Sequence, residues 1–444
     1  MGRYRRSSFD TVVYRHPFAD DGFTMLDQLR LLQQSPAIEP VQMVVLQSTT
    51  GCNMNCDYCY LSEASRKSNQ SFPPSSIADL FNNIFTSRFV RDRIVVCWHS
   101  GEPLLLKPSY YDEAIDSISR LAKRHLGPDF EIRFDMQTNG TLIDDKWCEF
   151  FLRHRERFDL GVSCDGPAFL HDAHRITWSG KATHQRVSRG LDNLCRAGIR
   201  FNMIAVVPPS SLGFPDELFD FMYRYREHLT DFHFNVMDAP AASIDQFTFG
   251  EAERERYYRF FSRILQRCAA SDAKGGAFRI RNLTHMYKKM FAPPQVQAQL
   301  SARNMSRPLK TLNVEANGDV TTFYAGLTSQ EYKDLYGDGV GLVIGNALRQ
   351  PLDEIAESPK LQRIMSDFEI SHRACEAACD YFDLCSGGFN LTKYARFGTF
   401  DATETPECCV HTKTMVDAIV DDLQAHLDLQ LPDCTAPTGT SFVE

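Results

Sequence analysis

Three cysteines, Cys52, Cys56 and Cys59, sit in one eight-residue stretch of the run Thr49-Thr-Gly-Cys52-Asn-Met-Asn-Cys56-Asp-Tyr58-Cys59-Tyr60. Soft thiolates at this spacing can hold three corners of an iron–sulfur cube. The loop has no fourth cysteine, so one iron would stay open to an external chelate that offers an amine and a carboxylate. A zinc knuckle is the competing reading; it would need a fourth ligand such as His99, and structural zinc sites usually pair CxxC units. A second group, Cys375-x3-Cys379-x5-Cys385, is followed by Ser386-Gly-Gly388 and then by Cys408-Cys409. Three thiolates in eleven residues, with a fourth from Cys408 or Cys409, suit either another cluster or zinc. Cys97, Cys148, Cys164, Cys195, Cys268 and Cys434 lack partner spacing and read as small buried hydrophobes or surface thiols.

The compartment has to keep such thiols reduced. The N-terminal Met1-Gly-Arg-Tyr-Arg-Arg is not followed by an apolar run, and no stretch approaches the length of a membrane span, so a cytoplasmic protein is expected. There, 14 cysteines read as metal ligands and free thiols rather than disulfides. The net charge of −9 supplies no basic field for nucleic acid. With 43% hydrophobic and 24% charged residues, the 444-residue chain has an ordinary globular composition and room for more than one packed unit.

Elements that could position the first cysteine loop alternate along the chain. β-rich runs at 41–47, 93–98, 130–136, 159–163, 200–207 and 231–236 are separated by amphipathic helical patterns at 75–85, 110–124, 144–154, 184–197 and 215–227. Strands alternating with helices imply a parallel sheet with right-handed crossovers, and six units suggest an open or partial barrel. Each of the first four runs is followed at once by a segment of unusual composition: Thr49-Thr-Gly-Cys52, Ser100-Gly101-Glu102-Pro103, Gln137-Thr-Asn139-Gly140 and Cys164-Asp165-Gly-Pro167. Ligand sites in parallel α/β folds gather at the carboxyl ends of the strands, so four such segments describe one site.

Residues 1–40 form a lead-in with a possible helix at 25–33; residues 41–240 form the barrel; residues 241–309 form a helical bridge with patterns at 251–270 and 282–290. Residues 310–430 hold a hairpin, 312–315 with 320–323 around Ala316-Asn-Gly-Asp319, then the second cysteine group and a helix at 413–427, before a tail at 431–444.

The CxxxCxxC run with an aromatic residue after it resembles the signature of the radical S-adenosylmethionine (SAM) superfamily over about residues 40–240. That resemblance implies an α/β fold, a partial (β/α)6 TIM-like barrel, with a 4Fe-4S cluster on Cys52, Cys56 and Cys59 that binds SAM. Ser100-Gly101-Glu102-Pro103 is similar to the GGEP motif that receives the methionyl amine, with serine at its first glycine. Gln137, Asn139, Ser163 and Asp165 resemble SAM-pocket residues of the peptide-modifying branch, and Arg175 a recurrent arginine that could pair with the SAM carboxylate; Tyr58 and Tyr60, flanking Cys59, make an aromatic environment suited to an adenine face.

The second cysteine group resembles the SPASM domain of radical SAM peptide maturases, which binds auxiliary 4Fe-4S clusters. Where full SPASM domains carry a further cysteine this chain has Phe389, and none lies between Cys268 and Cys375. The resemblance thus implies one auxiliary cluster, on Cys375, Cys379, Cys385 and Cys408, with Cys409 competing for the fourth place. Cys379-Asp-Tyr-Phe-Asp-Leu-Cys385-Ser-Gly-Gly388, Phe397-Gly-Thr-Phe400, Val320-Thr-Thr-Phe323 and the Tyr336–Asn346 stretch are similar to enzymes that form three-residue cyclophanes in ribosomal peptides. This implies a precursor peptide as substrate, an external flavodoxin- or ferredoxin-like electron donor, and a proton acceptor for which Asp238 and Tyr324 are candidates. Anaerobic sulfatase-maturing and thioether-forming maturases are the alternatives, and a non-catalytic cluster carrier is the alternative of a different class. The sulfatase type usually keeps both auxiliary clusters.

Overall fold

The computed structural model describes residues 38, 40–236, 250–272, 279–293, 296, 307–324, 327–328 and 332–427. Asp238, Cys434, the 25–33 pattern and the tail at 431–444 lie outside them. Six strands fall where the β-rich runs predict: β1 Met43–Leu46, β2 Arg93–Trp98, β3 Glu131–Thr138, β4 Phe158–Ser163, β5 Phe201–Val207 and β6 Leu229–Val236. They lie in the order β6-β5-β4-β3-β2-β1, every neighbouring pair parallel, as successive βα units with crossover helices require.

The side-chain alternation is clean in β5. Phe201, Met203, Ala205 and Val207 are buried in the core, while Asn202, Ile204 and Val206 on the opposite face are only half-buried. The helix Pro108–Leu126 shows how the covering layer forms. Proline opens it, Gly127 at φ 93° closes it, and Lys123, Arg124 and His125 complement its last turn. Tyr111, Ala114, Ile115, Ile118 and Ala122 recur at helical spacing and are buried against the sheet. Each large aliphatic or aromatic side chain so buried contributes about 1.5–3 kcal/mol.

The hairpin is present as β7 Thr311–Val314 and β8 Asp319–Thr322, turned at Gly318 (φ 88°). It is not a separate sheet. β7 pairs parallel with β1, and β9 Gly345–Asn346 extends the same sheet beyond β8, making nine strands in all. The division placed at residue 310 therefore falls inside a continuous hydrogen-bonded sheet.

The region that follows is mostly helical: Leu352–Ala356, Pro359–Ala378, Phe382–Cys385, Asn390–Phe397, Pro406–Cys408 and Thr414–Leu427, with a π-turn at Cys409–Lys413. The helix Thr414–Leu427 packs along Glu251–Asp272, where Arg254 donates to Asp417 at 3.2 Å and Tyr258 to Asp421 at 2.5 Å. The bridge helix Arg281–Phe291 reaches the second cysteine group. No helix among the described residues is long and apolar enough to cross a membrane.

Candidate active site

The first cysteine loop leaves β1 and is pinned from several sides. Asn55 N–H donates to the Ile176 carbonyl at 2.7 Å, Cys52 N–H to the Arg66 carbonyl at 3.2 Å, and Trp178 Nε1 to the Cys52 carbonyl at 2.8 Å. Arg66, buried, donates to the carbonyls of Leu61 and Met54 and to Asn55 Oδ1. Every described cysteine is a free thiol. Burial, then the Glu102 carboxylate, pushes the Cys52 thiol up to about 12. Burial pushes Cys56 up to about 11. Thiols in such surroundings stay protonated unless a cationic partner balances the thiolates, and three of them in one loop fit an iron cluster that supplies that charge.

Glu102 lies at the end of β2 and is fully buried. Its Oε1 accepts from Leu104 N–H at 2.9 Å and Thr138 Oγ1 at 2.6 Å, and its Oε2 from Asn139 N–H at 2.7 Å. Burial nevertheless raises this carboxyl to about 7 against those three hydrogen bonds, so it lacks a cationic partner strong enough to offset desolvation. A ligand ammonium fits that need. Ser100 and Gly101 both have positive φ, 72° and 74°. This explains why glycine is usual at the first position of the motif, and it strains Ser100 by about 1–2 kcal/mol. The Ser100 hydroxyl lies 3.0 Å from Tyr60 Oη and 3.2 Å from His99 Nδ1. At Gly101 a Cβ would stand 2.4 Å from the Thr49 carbonyl oxygen, so only glycine lets the two loops touch. Pro103 opens a short turn, and its carbonyl accepts from Tyr111 at 2.7 Å.

Asn139 follows β3 and faces the cysteine loop: its Nδ2 donates to Asn53 Oδ1 at 2.8 Å and lies 4.0 Å from Cys52 Sγ. Gln137 lies over Gly161, where a Cβ would meet its Nε2 at 1.8 Å. Ser163 ends β4, half-buried, beside Ile204 of β5.

Asp165 departs from its expected ligand-facing place. It is 2% exposed, Val206 N–H donates to its Oδ1 at 2.9 Å, and Arg175 Nε (2.9 Å) and the Tyr58 hydroxyl both donate to Oδ2. Arg175 also lies over the Tyr58 ring at 5.4 Å. The three side chains form an internal anchor that fixes the aromatic wall after Cys56. Both Asp165 oxygens are thus committed to partners within the protein.

The second cysteine group gathers from three helices and a turn. Ser386, Gly387 and Gly388 are consecutive left-handed residues (φ 62°, 90° and 67°) that wrap the group. Cys385 and Cys408 sulfurs lie 3.6 Å apart. The hydrogen bond from Cys408 holds the Cys385 thiol below its ordinary value while Cys408 rises. A Cβ on Gly388 would stand 3.3 Å from Cys408 Sγ. Cys409 instead donates to Glu404 Oε2 at 3.2 Å, and Lys413 donates to Glu404 Oε1 at 2.5 Å. Cys408 thus pairs with Cys385, while Cys409 shares the Glu404 carboxylate with Cys379. The π-turn begins at this point, a distortion common at functional sites.

Tyr324 does not have the surroundings of a proton acceptor. Its ring meets Phe389 edge-on at 4.1 Å and Phe368 at 6.0 Å, its oxygen accepts from Asn390 N–H at 3.3 Å, and burial raises its phenol. It is a core residue between the hairpin and the cysteine helices. Phe389, at the position of the extra SPASM cysteine, fills that core.

A profile of the radical SAM superfamily matches residues 46–222. An uncharacterized protein of Synechocystis sp. is 30% identical over 391 residues, 88% of this chain and 94% of that protein. The chain belongs to the radical SAM superfamily. A cysteine-type anaerobic sulfatase-maturating enzyme of Clostridium perfringens is 22% identical over 79% of this chain and 88% of its own length. A serine-type enzyme of Bacteroides thetaiotaomicron is 29% identical over 45% of the chain and 47% of its length. Among solved structures, native anSMEcpe with bound AdoMet and Cp18Cys peptide superposes with a TM-score of 0.67 at 19% identity, covering 88% of this chain and 99% of that one. Streptococcus suis SuiB bound to precursor peptide SuiA gives 0.55 at 14% identity, covering 86% and 79%. These neighbours share the fold. Radical SAM enzymes use a 4Fe-4S cluster and SAM, and the first cysteine loop and Glu102 are the groups of this chain suited to them.

Several contributors carried no signal in the sequence. Asn53 and Trp178 brace the cysteine loop and Thr138 holds Glu102, through hydrogen bonds that only the fold creates. If Glu102 receives the SAM amine, affinity for SAM should depend on its ionised form. A carboxyl lifted to about 7 is protonated below that pH. Binding should then weaken roughly tenfold per pH unit below about 7. Isothermal titration of reconstituted protein should show this slope and its loss in Glu102→Gln; an equal slope in both proteins would contradict the role.

Proposed function

We propose that this enzyme modifies a ribosomally made precursor peptide, abstracting a hydrogen atom from one residue and joining an aromatic side chain to a β-carbon as a cyclophane. With its cofactors bound, reductive cleavage of SAM supplies a 5′-deoxyadenosyl radical, and this chain contributes position and shielding. Cys52, Cys56 and Cys59 hold the cluster; Ser100, Gly101, Glu102 and Pro103 take the methionyl end of SAM; Gln137, Asn139 and Ser163 line its pocket. Asp165 and Arg175 lock the Tyr58 wall so that the target carbon stays within about 3–4 Å of the reacting centre. Crosslinking removes a second electron and a proton from the ring. Cys375, Cys379, Cys385 and Cys408 offer the place for a single auxiliary cluster that could take that electron. The first reduction comes from an external flavodoxin- or ferredoxin-like donor in a reducing cytoplasm.

The observation that carries this reading is the reduced cysteine set: one auxiliary group, with Phe389 packed on Tyr324 where a further cysteine would belong to another cluster. Two structural neighbours are bound to peptides, which supports a peptide partner. The sulfatase-maturating relatives favour a second reading, oxidation of a cysteine or serine to formylglycine. Co-expression with a candidate precursor peptide separates the two. A crosslinked product loses two hydrogens, yields a cyclic fragment in tandem mass spectrometry and ignores hydroxylamine. A hydroxylamine-reactive aldehyde on the peptide would overturn the cyclophane assignment in favour of the second reading.

A further inference from the structure

Two lysines are buried beside the second cysteine group. Lys393, 1% exposed, donates from Nζ to Cys375 Sγ at 2.9 Å and to the Ser371 carbonyl at 2.8 Å. Lys289, 7% exposed, comes from the bridge helix Arg281–Phe291 and donates to the Leu384 carbonyl at 2.6 Å, next to Cys385. Both are cationic groups taken out of water, which is costly without a compensating anion. Neither forms an ion pair with a carboxylate among the described residues. The negative charge they face is that of the cysteine group itself. Ser371, Cys375 and Lys393 belong to two different helices, Pro359–Ala378 and Asn390–Phe397, so the contact is fixed by packing.

Resting on the auxiliary-cluster reading above, we propose that Lys393 and Lys289 tune that cluster, raising its reduction potential so that it favours accepting an electron. Cluster potentials respond to net charge, hydrogen bonds to sulfur and solvent exposure. On one-electron reduction the cluster gains one negative charge, and a fixed buried cation stabilises the reduced form more than the oxidised one. Lys393 adds a hydrogen bond to a ligand sulfur. Lys289 adds charge alone, through a carbonyl one residue from Cys385. A cluster so poised suits an electron acceptor for ring oxidation better than a low-potential donor.

The test uses the full chain with Cys52, Cys56 and Cys59 replaced by alanine, so that only the auxiliary site can load iron. Its midpoint potential is measured by redox titration followed by electron paramagnetic resonance, with Lys393→Met, Lys393→Arg and Lys289→Met added singly. Each methionine variant should shift the redox equilibrium toward the oxidised form by about tenfold, or about 59 mV for one electron. Lys393→Arg, which keeps the charge, should stay near the parent. Full iron loading with unchanged potentials in both methionine variants would overturn the proposal. If Lys393→Met loses its iron, Lys289→Met carries the test, since it removes no ligand contact. A parent protein that binds no iron, or binds zinc, fails the auxiliary-cluster reading and this inference with it.

Discussion

Replacing Cys52, Cys56 and Cys59 together by alanine is expected to abolish SAM cleavage and, with the proposed auxiliary cluster loaded, to remove about half of the iron from anaerobically reconstituted protein. The reason is local. The three thiols lie in one buried loop where desolvation drives Cys52 and Cys56 far above an ordinary thiol. Only a cationic partner makes their thiolates tolerable there. Single substitutions should give the same loss of activity, because a cube held at two corners is not retained in place. The fold should survive, since the loop is tied by Asn55, Arg66 and Trp178 through main-chain groups that alanine leaves intact. Iron content and visible spectrum identical to wild type in the triple variant would contradict the assignment.

Asp165→Ala should have the largest effect on stability, lowering it by about 3–5 kcal/mol, because it strands the Arg175 guanidinium in a buried site. Arg175 and Asp165 are 9% and 1% exposed in their side chains, so solvent screens the pair little. Tyr58 and the Val206 N–H lose their acceptor in the same variant. Asp165→Asn, which keeps the shape, should cost less. The pH dependence has a definite sign. Burial pushes the Asp165 carboxyl up, but Arg175 and the hydrogen bonds outweigh it and hold the group below 3.8. Its stabilising contribution is present above 3.8 and is lost as pH falls through the lower folded-state value. Thermal melts should show that acid-side decline in wild type and a flatter profile in Asp165→Asn. Equal melting temperatures for wild type and Asp165→Ala would contradict the anchor role.

Much of the barrel was legible in the sequence because hydrophobic period and strand composition agree with the fold. All six parallel strands fall on the predicted runs, within a few residues at the ends. The four motif segments also fall at strand ends, where parallel packing gathers them. Legibility fails where long-range pairing decides. Nothing in Leu312-Asn-Val-Glu315 says that it pairs with β1 rather than forming a free hairpin. The helix Pro359–Ala378 was missed although Ser358 caps it through Leu361 N–H, because its apolar pattern is weak and its end carries cysteines that read as loop. The anchor role of Asp165 and the buried positions of Lys289 and Lys393 are properties of burial, which residue type alone argues against. Asp165 and Lys393 became intelligible only through the partners that share their sites.

The most direct test of the central claim is formation of 5′-deoxyadenosine by the wild-type protein, reconstituted and reduced under anaerobic conditions with SAM. The account predicts nucleoside released above a control lacking reductant and absent from Cys52→Ala. Protein carrying its full iron and binding SAM, yet leaving SAM uncleaved on reduction, would contradict it.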